Sequence, residues 1–315
     1  MTLAPRREFY QRIAKLNAAP LWEVLSEIVG VQPHPASVPA LWRYEEMRPF
    51  LMESGELITA REAERRVLML ENPGCPSGSR ITQSVYAGLQ LVLPGEFTSS
   101  HRHRACALRF VLEGEGAYTA VDGERVTMHP GDLILTPSWT FHDHGNPGSQ
   151  PVVWLDGLDI PIVNFFDSSF AEHLPEEATQ TSVQSSASAF AFPYPPAGEA
   201  LRNRSLDACH GAKIEYLNAG GASVTPTLGA FLQWLPAGFK GAPYRATDST
   251  VYCVAEGSGQ SRIGDCLFQW AARDIFVVPS WCSVAHEAAE DAVLFSFSDR
   301  PAQKALGLWR EQAPA

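Results

Sequence analysis

The feature that most constrains this chain is an internal repeat. Residues 238–244 keep the spacing of residues 95–101, and Glu256-Gly257-Ser258-Gly259 keeps that of Glu113-Gly114-Glu115-Gly116, both 143 positions on. Val278-Pro279-Ser280-Trp281 follows Thr136-Pro137-Ser138-Trp139 at 142 positions, so one residue is deleted in the hairpin between. Each copy is a series of short apolar runs cut by turn residues: in the first, Glu113-Gly114-Glu115-Gly116, Asp122-Gly123 and Pro130-Gly131-Asp132. Short antiparallel strands bury their inward residues best in a closed sandwich or barrel, and two copies predict two such units.

The two copies differ in their histidines. His101 and His103 stand two apart, so on a strand both imidazoles leave one face and can reach a single ion. Pro137 opens a second apolar run leading to His142 and His144, again alternating, which adds one or two imidazoles at the same point. Imidazole suits iron, copper, nickel and zinc. In the second copy Tyr244, Ala246 and Val284 stand where His101, His103 and His142 do; only His286, opposite His144, remains. That copy reads as a metal-free structural partner, with His286 a hydrogen-bonded structural residue.

Composition bounds the rest. A chain of 315 residues with 45% hydrophobic content has room for a large core and about two domains. A net charge of −11 without a Lys/Arg block argues against a nucleic-acid partner. The six cysteines form no CxxC pair, and no apolar run approaches the ~20 residues of a membrane span, which together predict a cytoplasmic protein with no membrane partner.

Along the chain, residues 1–75 read as a helical N-terminal arm. Thr59 and Glu62 form a capping box opening a helix TAREAERRVLML, with Arg61 and Arg65 one turn apart on one face. A barrel with the histidines occupies 76–175, a Ser/Thr/Ala/Pro-rich linker 176–205, the second barrel 206–300 and a C-terminal helix 301–315. Gln90 is an amide in an apolar strand, either a core hydrogen-bonder or a ligand contact. Arg109, inside ALRFVL, needs a carboxylate partner, from the protein or from a substrate. Asp156 and Asp159 lie close to the histidine-bearing strand.

G(x)5HxH from Gly95 and G(x)5P(x)4H from Gly131 resemble the two motifs of the cupin superfamily. The usual glutamate ligand after HxH is replaced by Ala107 and Leu108, so the resemblance implies His101, His103 and His142 as the ligand set. The strings PLWEVL, RPFLMESGELITAREAERRVLMLENPG, YAGLQLVLPGE, HRHRACALRFVLEG, LTPSWTFHDHGN and WLDGLDIP together resemble the gentisate 1,2-dioxygenase family and the related salicylate and 1-hydroxy-2-naphthoate dioxygenases. The resemblance covers most of the chain. It implies an all-β bicupin core with an N-terminal helical arm, one Fe(II) per chain, and a homotetramer. The implied reaction is cleavage of gentisate by O2 to maleylpyruvate, between the carboxyl- and hydroxyl-bearing ring carbons. It also implies His144 as a base near the iron, Arg109 and Asp156 as catalytic groups, and Gln90, Arg109, Arg61, Arg65 (with Arg66 a rival) and Gly88 as substrate contacts.

The first alternative is a salicylate-type dioxygenase acting on 5-substituted salicylates or 1-hydroxy-2-naphthoate: Gly88, on the strand face of Gln90, would leave space for the substituent, and Arg104 adds a charge nearby. A metal-free or sugar-type cupin, or a bicupin that binds an aromatic acid without turning it over, is the alternative of another class. A full ligand set beside a lost one argues against both.

Overall fold

The computed structural model describes residues 3–76, 78–174, 182–185 and 188–314. Two barrels follow the repeat, antiparallel throughout their described pairings except where Val183–Gln184 joins Glu124–Thr127 in parallel. In the first, one sheet runs Ala191–Phe192, Leu133–Thr136, Ala107–Glu113, Val152–Leu158, Tyr86–Val92, Val67–Met69. The other runs Ala171–His173, His101–His103, His142–Gly145, Tyr118–Val121, Glu124–Thr127, Val183–Gln184. Asp122 and Gly123 both take positive φ, 49° and 83°, and so close the hairpin between Tyr118–Val121 and Glu124–Thr127 with the twist that flanking strands require. The second barrel has a sheet ordered Ala40–Trp42, Ile275–Val278, Thr250–Glu256, Ala292–Ser298, Gly229–Leu235, Ala212–Tyr216, and a three-stranded one of Cys266–Ala271, Ser258–Ile263 and Val284–Glu287.

The barrels exchange strands. Ala40–Trp42 pairs with Ile275–Val278 of the second barrel, while Ala191–Phe192, ahead of the second barrel in sequence, pairs with Leu133–Thr136 of the first. Each exchanged strand feeds a helix, Tyr44–Leu57 or Tyr194–Arg202, whose first N–H donates to an aspartate of the opposite barrel. Tyr44 N binds Asp274 Oδ1 and Tyr194 N binds Asp132 Oδ1, both at 2.9 Å. The repeated unit is therefore longer than a barrel and includes a leading strand and helix. Phe110 of the first barrel stacks on Phe295 of the second, centroids 4.1 Å apart and planes within 2°, in a core that spans both.

Four expectations differ from the structure. The N-terminal arm is not helical throughout. Leu3–Ala14 and Leu21–Ile28 are helices of a separate unit, residues 1–34, tied by Trp22 Nε1 donating to the Tyr10 hydroxyl at 2.9 Å. Residues 35–75 give one edge strand to each barrel. The helix expected from Thr59 has its capping box but lasts only Ala60–Ala63, because Glu64 turns to φ 53° and Val67–Met69 joins the edge of Tyr86–Val92. Sheet pairing and burial of Arg66 against Glu96, at 2.7 Å, override helix propensity there.

The expected linker, 176–205, lies partly outside the described residues, at 176–181 and 186–187. Its remainder holds the exchanged strand and the helix Tyr194–Arg202, where Pro195 and Pro196 fit a first turn that needs no N–H. The C-terminal helix is Arg300–Ala305; Gly307 at φ 69° ends it and Glu311–Gln312 pairs with Arg245–Ala246. Among the described residues no helix is long and apolar enough to cross a membrane.

Candidate metal centre

Strand alternation brings three imidazoles together. His101 and His103 leave one face of their strand, and His142 opens the neighbouring strand directly opposite His101. One ring nitrogen from each lies within 4.8 Å of the others. Nδ1 of His103 donates to the Ala105 carbonyl at 2.8 Å and Nδ1 of His142 to the Thr140 carbonyl at 3.0 Å, so both keep their lone pair on Nε2. His142 Nε2 is buried without a protein partner. An orphaned buried acceptor between two further imidazoles is the donor set a divalent transition metal takes.

All three rings are held neutral. Burial drives His101 down to about 2, helped by the adjacent Arg65 guanidinium, and lowers His103 and His142 by the same main cause. Arg65 Nη2 sits against the His101 ring, 2.9 Å from Nε2.

The imidazoles face a cavity of about 360 Å³. An engineered cavity of about 150 Å³ admits benzene, so one substituted ring fits here. Its wall carries Arg65, Gln90, Arg109 and Asp156. Arg109 is buried, with Nη1 donating to Thr136 Oγ1 at 2.6 Å and Nε 3.5 Å from Asp156 Oδ1. Asp156 also accepts from Trp154 Nε1 at 2.9 Å, yet burial pushes its carboxyl up to about 6 against the pull of Arg109. Burial likewise draws Arg65 down to about 10, with Arg109 adding like-charge repulsion. Two guanidiniums and one carboxylate leave the wall net positive, suited to an anionic ligand.

A cupin-domain family model matches residues 88–158. Over 332 residues the chain is 50% identical to a gentisate 1,2-dioxygenase of Aquipseudomonas alcaligenes, covering 97% of this chain and 96% of that one. The chain belongs to the gentisate 1,2-dioxygenase family. Within that family it is also 35% identical to a 5-aminosalicylate 1,2-dioxygenase of Comamonas sp, covering 97% and 90% of the two chains. The salicylate 1,2-dioxygenase of Pseudaminobacter salicylatoxidans superposes with a TM-score of 0.90 at 32% identity, over 98% of this chain and 97% of that one.

In this member of the family the expected site residues separate. Arg65, Gln90, His101, His103, Arg109, His142 and Asp156 share the cavity. Arg61 is exposed and lies outside the lining, because the helix that would have aimed it ends at Ala63. Arg66 is committed to Glu96. Arg104 lies over the Trp139 ring at 4.6 Å. His144 is 1% exposed and not in the lining; its Nδ1 meets Thr119 Oγ1 at 2.9 Å and its ring packs on Trp154. Burial keeps it neutral. The open space expected over Gly88 is filled: a Cβ there would lie 2.5 Å from Val67 Cγ1 and 3.1 Å from the Tyr86 hydroxyl.

Those two side chains, with Ile160, Val163 and Asn164 of the Ile160–Phe165 helix and Phe170, are cavity residues that the sequence reading missed. Tyr86 was findable, four positions before Gln90 and so on the same strand face. Val67 carries no such signal, because helical periodicity runs through the sequence of its strand.

Proposed function

We propose that this chain is an Fe(II)-dependent gentisate 1,2-dioxygenase, holding one iron per chain on His101, His103 and His142. The observation that carries the reading is three neutral imidazoles lining a ring-sized cavity whose other charged side chains are net positive. When bound, the iron supplies Lewis-acid and redox chemistry that lets ring and O2 react, with both oxygen atoms entering the product, maleylpyruvate.

The chain's own residues do the rest. Arg65 and Arg109 bind the carboxylate of the substrate and orient the bond between the carboxyl- and hydroxyl-bearing carbons toward the imidazoles. Val67, Leu158, Ile160 and Val163 hold the ring faces and exclude water. Gln90 offers an amide to the ring oxygens. Asp156 is the cavity-facing group poised to take the phenolic proton, its carboxyl value raised toward neutrality by burial. We assign this role to Asp156 rather than to His144, whose ring is buried against Trp154 and outside the cavity lining. Tyr86 adds a hydroxyl to the wall, which favours a ring with a second polar substituent over unsubstituted salicylate. We place the enzyme in the cytoplasm as a homotetramer. The six free cysteines support the compartment and the family resemblance supports the assembly.

Oxygen uptake by iron-loaded protein offered gentisate, salicylate, 5-aminosalicylate, 5-chlorosalicylate, 5-nitrosalicylate and 1-hydroxy-2-naphthoate tests the reading. Gentisate should be consumed with the highest kcat/KM. Uptake with a 5-substituted salicylate and none with gentisate would overturn the substrate, and no uptake with any would overturn the enzyme.

A further inference from the structure

One peptide unit, between Ala105 and Cys106, touches His103 directly and the second barrel through Asp159. Its carbonyl accepts from His103 Nδ1 at 2.8 Å. Its N–H, that of Cys106, donates to Asp159 Oδ1 at 2.7 Å. Asp159 is 2% exposed, and its other oxygen accepts from Thr227 Oγ1 at 2.5 Å. Thr227 stands just before Gly229–Leu235, a strand inside the second barrel's main sheet.

We infer that Thr227, Asp159 and the Ala105–Cys106 peptide form a positioning relay through which the metal-free barrel fixes the orientation and donor strength of His103. A peptide whose N–H is bound by a carboxylate is polarised, so its carbonyl is a stronger acceptor. A stronger Nδ1–H···O bond puts more electron density on Nε2, the atom facing the other two imidazoles, and locks the ring's rotation. Asp159 is also the residue immediately before the Ile160–Phe165 helix, which supplies Ile160, Val163 and Asn164 to the cavity. A single carboxylate thus sets a ligand and a wall, and its own place is set by a hydroxyl of the other barrel.

The repeat provides a matched control inside the molecule. Asp299 is the counterpart of Asp159: its Oδ1 accepts from Ser249 N at 2.9 Å and its Oδ2 from Gln303 Nε2 at 3.0 Å, with Ser84, the counterpart of Thr227, a further side-chain partner on the segment feeding the first barrel. There the relay ends on nothing, because Ala246 stands in the place of His103. Both contacts bridge the barrels, and only one reaches an imidazole.

The inference rests on His103 being a metal ligand, and metal affinity tests it independently of turnover. Competition of Fe(II) or Co(II) with a chromogenic chelator should show about tenfold weaker binding in Thr227→Val, against less than about twofold change in Ser84→Ala, with Thr227→Ser restoring the wild-type value. Thermal midpoints of Thr227→Val and Ser84→Ala should fall together, since each loses one bridge between barrels. Unchanged affinity in Thr227→Val, or equal loss in Ser84→Ala, would overturn the relay. If the wild type binds metal with this pattern but consumes no oxygen, the proposed reaction fails and the relay stands.

Discussion

The two barrels repeat one plan, and they part most sharply at three histidine positions. Both keep a buried hydroxyl–histidine pair, Thr119–His144 at 2.9 Å and Ser261–His286 at 2.7 Å, with Nε2 of each histidine orphaned. Both keep a tyrosine and an aspartate that latch them to each other. At the three ligand positions the second barrel has Tyr244, Ala246 and Val284, all buried in an apolar cluster. A histidine that persists in the metal-free copy belongs to the framework, which is the strongest reason to read His144 as support for the site rather than a reacting group. On the proposed reading, metal binding depends on three side chains set on a scaffold that both barrels share.

The sharpest way to break this comparison is to exchange ligand and framework histidines. His101→Ala, His103→Ala and His142→Ala should each abolish metal binding and oxygen uptake, whereas His286→Ala should bind metal as the wild type does and lose stability only. Metal loss in a folded His286→Ala, seen by elemental analysis beside circular dichroism, would show that the second barrel is no bystander.

Next in size is the seam between the copies. Phe295→Ala removes the ring stacked on Phe110 and should cost about 3–5 kcal/mol, in one transition seen alike by far-UV dichroism and tryptophan fluorescence. Two separated transitions would mean that the barrels fold independently.

Asp156 gives the comparison a pH dependence, since Ser296 holds its place in the second barrel. Its value rises to about 6 on folding, mainly by burial, from about 3.9 unfolded, so the folded state keeps the proton longer. Stability of the metal-free protein through this group is present below pH ~4 and is lost as pH rises to ~6, by at most ~1.4 kcal/mol per pH unit. Asp156→Ser should remove that slope. A wild-type minus variant stability difference that is flat from pH 4 to 6 would contradict the buried carboxyl.

Smallest is the hydroxyl bond beside the Tyr194 latch. Tyr194 donates its hydroxyl to Glu256 Oε1 at 2.5 Å, and Tyr194→Phe should cost about 0.5–1.5 kcal/mol in urea unfolding, without change in metal affinity.

Much of this was legible in the chain. The offset of 143 gave two barrels, and HxH with the later histidine gave the cluster of three imidazoles, because period-two alternation maps directly onto one sheet face. What was not legible depends on contacts distant in sequence. Val67 reaches the cavity only because an apparent helix unwinds at Glu64 and joins a sheet edge, whereas Arg65, beside it, is already implied by the family resemblance. The strand exchange by Ala40–Trp42 and Ala191–Phe192 lies in segments whose proline and serine content reads as connector. Asp159 was visible as an acid beside the site, but its partner Thr227 is 68 residues away and carries no motif.

The central claim is one metal site in a duplicated scaffold, and counting ions tests it most directly. Protein reconstituted anaerobically with excess Fe(II) and desalted should retain one iron per chain, none in His103→Ala and one in His286→Ala. Two irons per chain, or one retained in His103→Ala, would contradict it.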